Sequence, residues 1–168
     1  PLAEPDALEL AIKSSEAVKL LADIGKLKIG LKPHPMISVN KLNIIESFFT
    51  DIQCDMEIVD KPMDEVLPHY SILITMASGV VFDGMIEGLP VIRVGSSHSL
   101  NFDPADYLEN NPYGFKAQTV EQLNTLISKL LLLEYEERIG VLNYGREFVK
   151  ESFTLVNENT LKSFISIN

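Results

Sequence analysis

Apolar and polar positions follow one another along this chain in two rhythms. Leu8, Ala11, Ile12, Val18, Leu21 and Ala22 recur at three- and four-residue spacings with charges between them. That spacing predicts an amphipathic helix over Pro5–Gly25, with Gly25 as its C-cap. The short apolar run Leu27–Leu31 predicts a strand, which ends at Lys32-Pro33-His34-Pro35. Two prolines there forbid a helix and cannot continue a central strand, so a stiff loop follows. Helical spacing returns over Val39–Phe49, with Leu42, Ile45, Phe48 and Phe49 on one side. Met56–Val59 reads as a second strand and Met63–His69 as a short helix or turn. Pro62 suits the first turn of that helix, and Asp64 and Glu65 suit its positive end.

Ile72–Thr75 is a third strand, apolar enough to be buried on both faces. A tight turn, Ala77-Ser78-Gly79, leads into a helix over Val80–Gly88, and Pro90–Val94 is a fourth strand. A long polar loop over Gly95–Pro112 holds Ser96-Ser97-His98-Ser99, Asn101 and Asp103-Pro104. Loops of that length in a compact domain are usually functional or mobile. Tyr113–Ala117 is a fifth strand. Thr119 opens a helix with Glu121 and Gln122 in its first turn and Leu123, Leu126, Ile127, Leu130 and Leu131 on its apolar face. Tyr135–Glu151 and Glu158–Ile167 read as two further helices. Alternating strands and helices predict an α/β fold, a Rossmann-like parallel sheet with helices on both faces, plus C-terminal helices.

Composition narrows the function classes. A chain of 168 residues fits one domain, and 46% hydrophobic residues are too many for a disordered one. The net charge of −10 argues against sequence-independent nucleic-acid binding, which relies on clustered Lys and Arg. Apolar runs such as Leu130–Leu133 fall far short of a membrane span. A single cysteine, Cys54, cannot make an internal disulfide, which favours a reducing, cytoplasmic setting. The chain starts at Pro1 and shows no signal-peptide pattern, which fits a processed chain or a piece of a longer protein.

Ligands of open parallel sheets bind at the carboxyl ends of the strands. Lys32–Pro35, Ser78-Gly79 and Gly95–Asn101 all fall at such ends. Ser78 offers a hydroxyl beside a helix N-terminus, and Gly79 allows close approach to the backbone, a pairing suited to phosphate. The same pair also serves as an ordinary N-cap and turn. His34, held between prolines, can donate to a phosphate or a ribose hydroxyl, and Lys32 adds a point charge. A histidine packed at the sheet edge and bonded to backbone is the alternative. Asp83 and Glu87 share a helix face, where a carboxylate could hold a ribose or merely face solvent. The chain has no Walker loop, no G-x-G-x-x-G, no G-x-S-x-G elbow and no zinc spacing among His34, His69 and His98.

With LKPHP at Leu31–Pro35, ILITMASGVVFDGMIEGLPVI at Ile72–Ile92, NPYGF at Asn111–Phe115 and the later TVEQL…GREFVKESF, the chain resembles the C-terminal, nucleotide-binding half of a GT-B glycosyltransferase. Within that group it is similar to bacterial capsule and sialic-acid-type transferases and teichoic-acid glycerophosphotransferases, which carry an HP motif and a later SS or ST motif. The resemblance implies that His34 and Pro35 stand for HP, that Ser78 is the first hydroxyl position, and that Gly79 replaces the second. It also implies that Glu87, before Gly88-Leu89-Pro90-Val91, bonds the nucleotide's ribose. The implied substrate is a nucleotide-activated sugar or a CDP-linked donor, with no further cofactor and no metal. The implied partner is an N-terminal GT-B domain that carries the acceptor site and the catalytic base, so no catalytic residue is expected here. The usual first strand of such a half, ahead of Pro5, is missing. Any membrane association would come through the parent protein. A sugar-nucleotide 2-epimerase half and a noncatalytic α/β binding module are the other readings.

Overall fold

A computed structural model of the chain describes residues 3–21, 27–50, 52, 54–97 and 114–153. Twelve residues of Val39–Thr50 and seventeen of Ala3–Lys19 form helices α2 and α1, separated by strand β1, Leu27–Leu31. Strand β2 is Cys54–Ile58, two residues ahead of where its apolar run begins. The stretch behind Pro62 divides into helix α3, Met63–Val66, and a 3-10 turn, Leu67–His69, because Pro68 cannot donate the next α-helical bond. Strand β3, Leu73–Thr75, leads through Met76–Gly79 into α4, Val80–Ile86, and then β4, Val91–Val94. Strand β5 is Gly114–Ala117, followed by α5, Val120–Leu131, and α6, Tyr135–Ser152. The expected C-cap at Gly25, the greater part of the polar loop with His98, and the helix expected over Glu158–Ile167 lie outside the described residues.

All the pairings are parallel, and they fall into two sets, β1–β2 and β3–β4–β5. The expected parallel strands are all present; among the described residues the hydrogen-bonded neighbours are β1 with β2, and β3 with β4 and β4 with β5. Side-chain packing joins the two sets, with Leu27 of β1 against the larger set's core and helix α1 against both. Helix α1 gives Ala11 to a core with Ile45 and Phe49 of α2, and Ala17 to a core with Ile92, Val94 and Ala117 of the larger set. The opposite face of the larger set is covered by α4 and α6, through Val81, Met85 and Val91 with Phe148 and Val149 packed against them. Helices therefore lie on both faces of β3–β4–β5, as in a Rossmann-like fold. β4 is buried at every residue, whereas β3, expected to be buried on both faces, is buried only at Thr75. β4 is the middle strand of its set, and β3 is an edge.

The ends of the helices are specified locally. Thr119 accepts the Gln122 N–H at 3.3 Å while Gln122 accepts the Thr119 N–H at 3.4 Å, the reciprocal box that the T-x-x-Q spacing predicts. At the other end of α5, Arg138 of α6 donates from Nε to the Leu133 carbonyl and from Nη2 to those of Leu130 and Leu131. It satisfies orphan carbonyls with a cation, as helix C-termini favour. Asn124 Nδ2 donates to the Ala17 carbonyl at 3.0 Å and ties α5 to α1.

Helix α6 approaches α4 through glycines. Gly88 follows α4 at φ +75, and a Cβ there would stand 2.0 Å from Leu142 Cδ1. A Cβ on Gly145 would stand 2.5 Å from the Met85 carbonyl oxygen, a backbone atom that cannot step aside. Around Gly79, by contrast, no atom lies within 4 Å of the Cβ position, and its φ of −61 is helical. Gly145→Ala is therefore expected to cost about 1–3 kcal/mol, the usual range for overpacking. Gly79→Ala should be neutral or stabilising by about 0.4–1 kcal/mol, through lower unfolded-state entropy. Urea midpoints of the two variants check the contrast; equal losses would mean that α6 does not sit on α4 at this distance.

Candidate functional site

Because the strands of each set run parallel, the segments after β1, β3 and β4 leave their sheets at the carboxyl edge. After β1, the loop Lys32–Pro35 turns back on itself, with the Ile37 N–H bonded to the His34 carbonyl at 2.9 Å. His34 is exposed, and its Nδ1 accepts the Met36 N–H at 3.2 Å. A nitrogen that accepts carries no proton, so the neutral ring keeps its proton on Nε2 and can donate from there. The imidazole is thus fixed by backbone yet open to solvent, joining features of the two readings of this residue. Pro35 is exposed beside it. Lys32 is placed differently: its ammonium donates to the Lys61 carbonyl at 2.6 Å, in the segment after β2. In this conformation Lys32 is therefore held by the segment after β2.

After β3, the turn is tight enough to hold Ala77 at φ 40, where a side chain is rare. Strain of this kind collects at functional turns. Ser78 is half-buried, and its Oγ accepts the Val80 N–H at 3.3 Å, satisfying one N–H of the first turn of α4. Gly79 has open space where a side chain would project. Asp83 lies one turn into α4 and is solvent-exposed; partial burial, and next the charge of Asp64 on α3, raise its carboxyl above the ordinary range.

Glu87 is not brought to this edge. It caps the carboxyl end of α4 and precedes β4, so it stands at the amino edge of the sheet, seven helical residues or roughly 10 Å of rise from the Ser78 turn. There it lines a cavity of about 220 Å³ with Tyr70, Leu89, Pro90, Arg138 and Leu142. Asp83 and Glu87 share a helix face, but the short helix separates them along the strand direction.

After β4, the chain meets α1. Both carboxylate oxygens of Glu9 accept the Ser97 N–H, at 2.9 and 3.1 Å, and Oε2 also accepts from Ser96 Oγ at 3.2 Å. Asp6 stands closer to the same hydroxyl and takes the main share of its single proton. Lys13 lies 2.8 Å from Glu9 and donates to the Gly95 carbonyl, also at 2.8 Å. Burial alone would push the Glu9 carboxyl up; the hydrogen bond from Lys13, those from Ser97 and the Lys13 charge outweigh it and hold it at about 2. The sequence marks Gly95–Ser97 as part of a loop at a strand end, but Glu9, Lys13 and the buried Arg93 are not among the residues it singles out. Arg93, 2% exposed, sits on β4 in register with buried Thr75, on the same side of the strand as Val91. An arginine inside the run Val91–Val94 is the signal that could have found it. No such signal marks Glu9 and Lys13, whose i,i+4 spacing is common on helices. Among the described residues, no group of three or more His, Cys, Asp and Glu could hold a metal ion, and no helix is long and apolar enough to cross a membrane.

No family model matches the chain. No curated protein matches it either. Among solved structures it is similar to "Spinosyn Forosaminyltransferase SpnP", with a TM-score of 0.50 at 15% identity over 83% of this chain. The chain spans 35% of that transferase's length. At this identity the likeness shows a shared α/β fold.

The Glu9 cluster gives a pH prediction. A carboxyl held lower in the folded state than its usual 4.5 adds stability above that pH, and the gain is lost as pH falls towards 2. Glu9→Gln should therefore be less stable than the parent chain at neutral pH, with the difference closing as pH drops from about 4.5 towards 2. Thermal melts across that range check this; a difference independent of pH would show that Glu9 is not held as an ion.

Proposed function

We propose that this chain is the donor-nucleotide-binding domain of a glycosyltransferase, or of a related glycerophosphotransferase, in bacterial surface-polysaccharide synthesis. In this reading it is one half of a larger two-domain GT-B protein in the cytoplasm. The observation that carries the proposal is the parallel pairing, which puts the segments after β1, β3 and β4 each at a carboxyl edge, in a fold shared with part of a glycosyltransferase. The donor is a nucleotide-activated sugar or a CDP-linked alcohol, and the acceptor and catalytic base belong to the other half.

In this mechanism His34 donates from Nε2 to a phosphate oxygen of the leaving group. Ser78 and the N–H groups beside Gly79 take the remaining oxygens. Lys32 joins only by exchanging the Lys61 carbonyl for the phosphate, which costs one exposed hydrogen bond. Asp83, on the first turn of α4, holds the ribose hydroxyls in place of Glu87. Donors fixed before the reaction stabilise the charge that develops on the departing phosphate without reorganising. The net charge of −10 opposes an anionic ligand, so binding by the isolated chain is weak and falls with salt.

Titration with CMP, CDP, UDP and GDP, followed by amide shifts or heat, tests this. At least one nucleotide is expected to bind in the millimolar range and shift the amides of Ser78 and Gly79. His34→Ala and Ser78→Ala should each weaken it by about 3–10-fold, the worth of one hydrogen bond. Gly79→Ser should fold normally and bind as well or better. No binding at millimolar concentration, with His34→Ala indistinguishable from the parent, would remove the basis for the proposal.

A further inference from the structure

The groups around the Glu9 carboxylate are the donors that an oxyanion site needs. The Ser97 N–H and the Lys13 ammonium converge on one pair of oxygens at 2.8–3.1 Å, and the Ser96 hydroxyl, whose proton Asp6 holds, lies 3.2 Å from one of them. A carboxylate and a phosphoryl group present similar paired oxygens to such donors, and charge-assisted bonds of this kind are the strong ones. The Lys13 ammonium also donates to the Gly95 carbonyl, so it stays in place when Glu9 turns away. The cluster lies directly after β4, at the edge where ligands of parallel sheets bind.

We propose that Ser96, Ser97 and Lys13 form an oxyanion seat that the chain's own Glu9 fills, so that a phosphoryl group enters only by displacing that carboxylate. Asp6 is a second guard. It accepts from Ser96, and its charge repels an incoming anion. The seat stands on its own contacts and does not depend on nucleotide binding at Ser78.

The test is titration with inorganic phosphate, pyrophosphate, CMP and UDP, read at the Ser97 amide. The chains compared are the parent, Glu9→Ala, Asp6→Asn with Glu9→Ala, and Lys13→Met with Glu9→Ala. Half-saturation by phosphate or pyrophosphate is expected at a concentration at least tenfold lower in Glu9→Ala than in the parent. Asp6→Asn should lower it further, and Lys13→Met should abolish the gain. Equal gains for phosphate and nucleotides would identify a seat for the phosphoryl group itself; a gain for CMP or UDP several-fold larger would identify a nucleotide's phosphate as the occupant. If Glu9→Ala does not fold, Glu9→Gln replaces it, with a gain of at least threefold expected. A folded variant that binds phosphate no better than the parent, or a gain that survives Lys13→Met, overturns the proposal. Shifts at Ser78 without any at Ser97 would refute the seat and leave the donor-site reading standing. Shifts at Ser97 in the Glu9 variant alone would do the reverse.

Discussion

Glu9 and Lys13, one helical turn apart on α1, fasten that helix to the end of β4. The rest of the domain is arranged around this fastening. The two strand sets share no ladder among the described residues, so side-chain packing sets their relative position, through Leu27 of β1 against the larger set's core and through helix α1. Helix α1 is the one that enters both cores, with Ala11 against α2 and Ala17 against β4, β5 and α5. Apolar packing sets the distance between the layers but is nondirectional. The ionic hydrogen bonds at Gly95–Ser97 supply direction and fix how far α1 slides along the sheet. A slide of one turn would separate Glu9 from the Ser97 N–H.

Parallel pairing sets where each loop leaves its strands. No side chain of His34 touches Ser78 in the described contacts, yet both follow strands that end at a carboxyl edge. A ligand lying along such an edge bridges separate loops, which is why this architecture supports many chemistries on one scaffold. The rigid parts are local: a proline-bounded loop whose histidine is fixed by the Met36 N–H, and a turn that holds Ala77 at positive φ. Lys32 is the mobile part, since an exposed lysine exchanges a carbonyl partner at little cost.

Much of this was legible in the residues. The strand and helix alternation, the capping box at Thr119 and the stop at Lys32–Pro35 all follow from short-range chemistry, and all are present. Boundaries moved where a local rule outweighed hydrophobic spacing, as at Pro68, which splits a helix from a 3-10 turn. Three features were not legible for a common reason. The pairing of the strands, the partner of Lys32 and the Glu9 cluster depend on pairs far apart in sequence, such as Ser97 with Glu9, 88 residues away. Glu87 shows the same limit in reverse. Its place on a helix face was readable, but its position at the amino edge depends on α4 stopping at Ile86.

Native-state hydrogen exchange at the Ser97 amide probes the fastening most directly. Ser97 is an exposed residue just past β4, and an ordinary loop amide there would exchange almost freely. Held by the Glu9 carboxylate, it should exchange as slowly as the amides of Ile92 and Val94 in the core of the same strand. Exchange of Ser97 at the rate of an unbonded amide, with β4 still protected, would contradict the account: α1 would then rest on the sheet by packing alone.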